Sequence, residues 1–167
     1  EKGKYHPRIS GQHTYSYRAL SEYEKWCYDR LYNDFFYRRH NEFWYGKAMW
    51  KLPPLLDSNS MLTCAEDLGM IPDCVPAVMD ELQILALEIQ RMPKDPKVEF
   101  GNTWSYPYYS VCTTSTHDMP GIRAWWESDK AMSQRFYNNV LHEGGEAPYF
   151  AEPWICSKIL DLHLNSP

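Results

Sequence analysis

Three carboxylates stand where short apolar runs end. Met61, Leu62 and Cys64 form one run, and Glu66 and Asp67 follow at once, with Gly69 and Pro72 close behind. Tyr108-Tyr-Ser-Val-Cys-Thr-Thr114 forms another, followed by His117 and Asp118. Short apolar runs bounded by polar residues, Gly and Pro read as buried strands. Acids at the carboxyl ends of parallel strands occupy the edge where α/β folds place their chemistry. Two carboxyl groups flanking a glycosidic bond can share sugar transfer. One protonates the leaving oxygen, and the other attacks or stabilises an oxocarbenium-like transition state. On that reading Glu66 is an acid/base, Asp118 is its partner, His117 donates to a sugar hydroxyl, and Asp67 borders the same site. Each has a plainer reading. Glu66 and Asp67 can open a helix as an acidic turn. Asp118 can cap the helix that follows it, and His117 can be an ordinary loop histidine. Arg91, just past the run Ile84–Ile89, serves equally as a surface ion-pair partner or as a sugar or carboxylate contact.

Periodicity and breakers give the elements that must position these groups. Residues 1–18 read as loop. Ser21 and Glu24 have capping-box spacing, and Tyr23, Trp26, Cys27, Arg30, Leu31 and Phe35 recur at helical intervals, predicting a helix to about Arg39. A second helix covers Asn41–Lys51 and is stopped by Pro53-Pro54. After the strand at Met61–Cys64, Asp73 can cap a helix over Val75–Leu82 that has Pro76 in its first turn. Ile84–Ile89 is a second strand. A long polar loop, Lys94–Tyr106, contains Trp104 and leads to the strand at Tyr108–Thr114. Helices follow from Pro120, with Trp125 and Trp126 as packing residues, over Ser133–His142, and over Trp154–Leu164. Strand starts near 61, 85 and 108 are somewhat closer than the about 31 residues per unit of a (β/α)₈ barrel. The fold class is therefore α/β. Three strands cannot close a barrel, so barrel architecture would make this chain a sector of one.

Composition narrows the partners. The 167 residues are 44% hydrophobic and 16% aromatic, with seven Trp and thirteen Tyr. That is enough for a core, and it supplies flat surfaces suited to sugar rings. The net charge is -5 with no basic run, which argues against nucleic acid. No apolar run approaches the ~20 residues that span a bilayer, which argues against a membrane. Five cysteines, without a C-x-x-C pair, indicate neither a disulfide framework nor a zinc site. They read as buried free thiols in a reducing, cytoplasmic compartment. The chain does not begin with Met, and it reads as part of something longer.

Four ordered segments carry a resemblance. They are Cys64-Ala-Glu-Asp-Leu-Gly-Met-Ile-Pro72, Leu87-Glu-Ile-Gln-Arg-Met-Pro93, Tyr106-Pro-Tyr-Tyr-Ser-Val-Cys-Thr-Thr-Ser-Thr-His-Asp-Met119 and Ile122-Arg-Ala-Trp-Trp-Glu127. Together they resemble the 4-α-glucanotransferases, the amylomaltases or disproportionating enzymes of glycoside hydrolase family 77. The wording is nearest to the long branch typified by the plant cytosolic enzyme, and it extends over essentially the whole chain. The resemblance implies a (β/α)₈ barrel sector with strands five to seven starting near 61, 85 and 108. A helix-rich part, 1–57, precedes the strand-bearing part, 58–167. It implies retaining transfer of α-1,4-glucan segments between maltooligosaccharides, with no cofactor and no metal. Glu66 matches the general acid/base, Asp118 the transition-state stabiliser and His117 a sugar-binding histidine. Trp104, Tyr106 and Tyr108 are candidates for the acceptor platform. The family nucleophile is an Asp in an R-x-D-H segment, and this sequence has none. The isolated chain is thus expected to be inactive and to associate through open sheet edges. Met119-Pro120 follows His117-Asp118 where many members have Asn-Asp. The competing classes are a glycan-binding module without chemistry, an α-amylase-superfamily hydrolase or branching enzyme, and a helical interaction protein using residues 21–52.

Overall fold

The structure, a computed structural model, describes residue 3 and residues 5–167. It separates into two compact units. The first takes the chain up to Met61 together with Met70–Leu82, and the second takes Leu62–Gly69 and Gln83–Pro167.

The first unit is helical from near its start. A 3₁₀ turn over Gly11–His13 and the short helix α1, Tyr15–Arg18, occupy what reads in sequence as loop. Thr14 makes this possible, because its side chain accepts from the Tyr17 amide and caps α1. Helix α2, Glu22–Asn33, opens with the expected capping box: the Ser21 side chain accepts from the Glu24 amide, and Glu24 accepts from Ser21 N. It does not end at Arg39. It passes into a π-helical segment, Asp34–Arg39, and straight on into α3, His40–Asp57. Residues 33, 34, 39 and 40 all keep right-handed helical dihedrals, so the two helices expected from sequence are one continuous path.

Pro53 and Pro54 lie inside α3 and do not stop it. A helical proline removes the amide that would bond the carbonyl four residues back, here those of Met49 and Trp50. No residue of α3 is buried, so water can reach those carbonyls. Tyr32 anchors the path by donating to Ile9 O at 2.8 Å. Helix α4, Val75–Glu81, has Pro76 in its first turn as expected, but Asp73 does not cap it. Asn41 of α3 accepts from Cys74 N, just before the helix, at 3.4 Å, and no side chain caps the first turn.

The second unit holds the sheet. Strands β1, Ala86–Ile89, and β2, Ser110–Thr113, pair in parallel with Ala86 opposite Ser110 and Ile89 opposite Thr113. The expected strand at Met61–Cys64 contracts to one parallel bridge, between Cys64 and Leu85. The three chain segments therefore run the same way, in the order 64, 85–89, 110–113. The link from β1 to β2 contains a 3₁₀ turn, Thr103–Ser105, and no α-helix. Among the described residues this is a mixed α/β unit with a two-stranded sheet, not a closed barrel.

Helices α5, Ile122–Ser128, α6, Lys130–Asn139, and α7, Pro153–Leu164, build the core beside the sheet. Asp129 caps α6 by accepting from the amides of Ala131 and Met132. Trp126, Phe136, Tyr137, Leu141, Ala151, Ile155 and Ile159 form one buried cluster. Phe136 meets Phe100 and Trp125 edge to face, with centroids 5.0 and 5.1 Å apart. Trp126 is wholly buried and donates its indole N–H to Pro148 O at 3.0 Å. All five cysteines are free, yet none is fully buried and Cys64 is exposed, unlike the buried thiols expected. No described helix is long and apolar enough to cross a membrane.

Phe136→Ala removes the ring at the centre of this cluster. It is expected to destabilise the second unit by about 3–5 kcal/mol, read as a lower urea midpoint.

Candidate active site

The first acidic turn is shaped by one side chain that takes the place of backbone. Leu85 N donates to Thr63 O at 3.0 Å, and Ala65 N donates to Leu85 O at 2.9 Å. A parallel ladder would continue by pairing Leu87 N with Ala65 O. Leu87 N donates instead to Asp67 Oδ1 at 2.9 Å. The carboxylate thus fills the next ladder position, and the main chain is free to turn away. Gly69 completes the turn in the left-handed region, φ +76°, where a Cβ would be strained.

Asp67 is only 5% exposed. Its second oxygen accepts from Lys94 Nζ at 2.6 Å, and the same ammonium reaches Glu88 Oε1 at 2.7 Å. Burial disfavours the Lys94 charge, but the hydrogen bonds to Asp67 and Glu88 outweigh it and raise its pKa. Asp67, expected at the border of a sugar site, is therefore engaged by the protein itself. Glu66 is exposed and makes no hydrogen bond or ion pair among the described residues. No helix opens on this turn, since the next begins at Val75, and the helix-initiating reading of the two acids falls away.

The second acidic loop leaves β2 at Thr113. Thr113 Oγ1 donates to Ser115 O at 3.0 Å, Asp118 N to Thr116 Oγ1 at 3.3 Å, and Met119 N to Thr116 O at 3.2 Å. His117 Nε2 lies 3.1 Å from Asp118 Oδ2, with the side chains 83% and 73% exposed. Asp118 caps nothing, because α5 starts from Gly121 without a side-chain cap. Glu66 lies past the Cys64 bridge and Asp118 past β2. Because the segments are parallel, both stand on the carboxyl edge of the sheet.

Arg91 belongs to that edge too, two residues beyond β1. Its Nε and Nη2 donate to Thr114 O at 3.0 and 2.7 Å, and Nη2 also donates to Pro120 O at 2.8 Å. The guanidinium lies over the Trp125 ring, 4.8 Å from its centroid. Nη1 is buried with no partner among the described residues. Burial lowers the Arg91 pKa. The partnered nitrogens serve main-chain carbonyls, not the surface ion pair that the sequence also allowed.

The three aromatic residues expected to form a platform differ in exposure. Tyr106 is 9% exposed, and burial pushes its phenol well above the usual range. A Cβ on Gly101 would come within 2.5 Å of the Tyr106 hydroxyl, so glycine is needed there for the ring to pack. Tyr108 is exposed but precedes β2, and so lies at the strand's opposite end from Asp118. Trp104 is exposed and borders a cavity of ≈ 280 Å³ shared with Leu141, Lys158 and Asp161.

Sequence reasoning passed over Lys94 and Glu88. A legible signal existed: an acid in the middle of an apolar strand needs a nearby cation, and Lys94 is the first lysine after it. No signal foretold the Thr114 and Pro120 carbonyls, since any residue supplies them. Among the described residues no cluster of three His, Cys, Asp or Glu is arranged to hold a metal ion.

Comparison with known proteins gives a consistent set. A family model described as 4-alpha-glucanotransferase matches residues 15–167. The chain is 42% identical over 164 residues to the 4-alpha-glucanotransferase DPE2 of Oryza sativa subsp. japonica, covering 98% of this chain and 17% of that protein. It is 32% identical over 90 residues to a 4-alpha-glucanotransferase of Chlamydia trachomatis serovar D, covering 51% of this chain and 16% of the relative. A Chlamydia muridarum 4-alpha-glucanotransferase is 30% identical over 108 residues, or 61% of this chain and 20% of the relative. The chain thus spans less than a quarter of these relatives. No solved structure matches it significantly.

Lys94→Met is expected to cost about 1–3 kcal/mol, because it leaves the Asp67 carboxylate buried beside one remaining amide. Denaturant titration of wild type and variant measures this. The pH dependence has a fixed sign. The Lys94 pKa is raised on folding, so its contribution is whole below the ordinary lysine value. It is lost as alkaline pH passes through the raised one, and the gap between the two proteins should close there.

Proposed function

The chain belongs to the 4-alpha-glucanotransferase family, glycoside hydrolase family 77, and we propose that it forms strands five to seven of that family's (β/α)₈ catalytic barrel, contributing two of three catalytic carboxylates. The observation that carries the proposal is the pair Glu66 and Asp118. They stand on one sheet edge, both exposed, and neither is used as a helix cap. The neighbouring Asp67, by contrast, is fully engaged with Leu87 and Lys94.

In the proposed reaction a protonated Glu66 gives its proton to the glycosidic oxygen of an α-1,4-glucan. A carboxylate nucleophile from outside this chain attacks the anomeric carbon and forms a glycosyl-enzyme. Asp118 stabilises the positive charge that develops on the ring, and His117 donates to a sugar hydroxyl. Glu66, now ionised, then takes the proton of an acceptor 4-hydroxyl, which displaces the nucleophile with net retention. Maltooligosaccharides are the substrates of this reading. The five free thiols fit a reducing compartment, and a cytoplasmic location goes with them. A glycan-binding module is the weaker alternative, because it has no need of an unpaired acid at position 66.

The test is maltotriose disproportionation by the full-length protein, with products separated as a ladder. Wild type is expected to release glucose and longer oligosaccharides. Glu66→Gln is expected to lower the rate about 10²–10⁴-fold while keeping its fold. A gain of reducing ends without longer products would mean a hydrolase instead. Retained transfer by Glu66→Gln would end the acid/base assignment. The isolated 167-residue chain is expected to show no turnover, and turnover would put the nucleophile within it.

A further inference from the structure

We infer that Arg91 is the positioning residue of the loop bearing His117 and Asp118. It ties together the two ends of that loop and fixes the direction in which the Asp118 carboxylate projects. The inference rests on the catalytic role proposed for Asp118, but the clamp itself is a matter of geometry.

Thr114 and Pro120 are the residues at which the loop leaves β2 and turns toward α5. A single nitrogen, Nη2 of Arg91, donates to both of their carbonyls, at 2.7 and 2.8 Å. The two oxygens can therefore be no further apart than two hydrogen bonds allow. Nε adds a second bond to Thr114 O at 3.0 Å, which fixes the plane of the guanidinium as well as its position. The Trp125 ring, 4.8 Å from the guanidinium carbon, supports one face of that plane. Trp125 itself packs edge to face on the buried Phe136. The loop neck is thus referred to the core through a rigid chain: Phe136, Trp125, Arg91, then the carbonyls of residues 114 and 120.

Inside the neck the restraints are few. Thr116 serves the amides of Asp118 and Met119, while the His117 and Asp118 side chains are exposed and, among the described residues, are paired only with each other. A loop held so lightly within depends on its ends. Misplacing a charge-stabilising group by about 1 Å can cost about 10²-fold in rate. Lysine cannot substitute here, because an ammonium has neither the planar fork nor the stacking face.

The experiment compares wild type, Arg91→Lys and Arg91→Ala in the full-length protein. Three quantities are read: kcat and KM for maltotriose disproportionation, hydrogen exchange of the amides of residues 115–119, and rescue of Arg91→Ala by added ethylguanidinium or ethylammonium. The expected result is a kcat lower by about tenfold or more with KM within about twofold. Exchange rises in 115–119 and not in β1, and ethylguanidinium but not ethylammonium restores activity. A residue that only supported the fold would raise exchange throughout the unit and would not give selective rescue. Unchanged kcat with unchanged exchange in 115–119 overturns the inference, as does an equal fall in kcat/KM carried wholly by KM. If Arg91→Ala does not fold, Arg91→Lys decides by the same kcat and exchange readings. If wild type itself shows no transfer, the functional proposal fails. The exchange data then judge the clamp alone, and no rise in the variants refutes it.

Discussion

The carboxyl edge of this sheet depends on the Asp67 carboxylate accepting from the Leu87 amide. A β-ladder is a sequence of obligatory pairings, and a segment that leaves it must hand its partner's amide to another acceptor. Asp67 is that acceptor. It lets the main chain diverge after a single bridge without leaving Leu87 N unpaired. The turn it permits presents Glu66 outward, while Lys94 balances the charge that has been drawn inward. Two adjacent acids of similar chemistry thus acquire opposite fates: one is desolvated and saturated, the other exposed and uncommitted. That division leaves Glu66, and not Asp67, as the acid of this turn that a ligand could reach.

The opposite side of the edge follows the same logic with the signs reversed. There a cation, Arg91, collects main-chain carbonyls instead of a carboxylate collecting amides. Lys94 and Arg91 both come from the segment just beyond β1, so the central strand supplies the restraints for loops on either side of it. Arg91 lies over the Trp125 ring, and Trp125 meets Phe136 edge to face. In this way the aromatic core and the polar edge form one mechanical assembly. The aromatic richness of the sequence is accordingly divided: Trp125, Trp126, Phe136 and Tyr137 build this support, while Tyr23, Trp26, Phe43 and Trp44 stand on exposed helical faces.

Much of this was legible in the residues themselves. The capping box at Ser21 and Glu24, the prolines that begin α4 and α7, and the two strands near 86 and 110 all carry local signals, and they appear where those signals lie. Failures arose where local rules met a different environment. Pro53-Pro54 reads as a helix stop because a proline frees a carbonyl, yet on a solvent-exposed helix water can serve that carbonyl. The strand at Met61–Cys64 reads as a full strand from its apolar residues, but Met61 and Leu62 are exposed, and the sheet takes in the segment only at the Cys64–Leu85 bridge. Tyr106 reads as a surface ring, and only the absence of a Cβ at Gly101, distant in pattern though near in space, shows that it is packed. Contacts to backbone carbonyls leave no trace in residue type, which is why the place of Arg91 could not be read from sequence.

The restraints on the edge are also close together along the chain. Asp67 reaches Leu87 and Lys94, 20 and 27 residues away, and Arg91 reaches Thr114 and Pro120, 23 and 29 residues away. The entropy lost in closing a loop grows only slowly with its length, and contacts of short separation form early because little chain must be gathered to make them. The edge is therefore largely self-contained in topology. The stretch from residue 62 to residue 120 carries both acidic loops and the cations that restrain them, and Trp125 and Phe136, which back Arg91, follow soon after it, so the edge and its support are gathered from neighbouring parts of the chain.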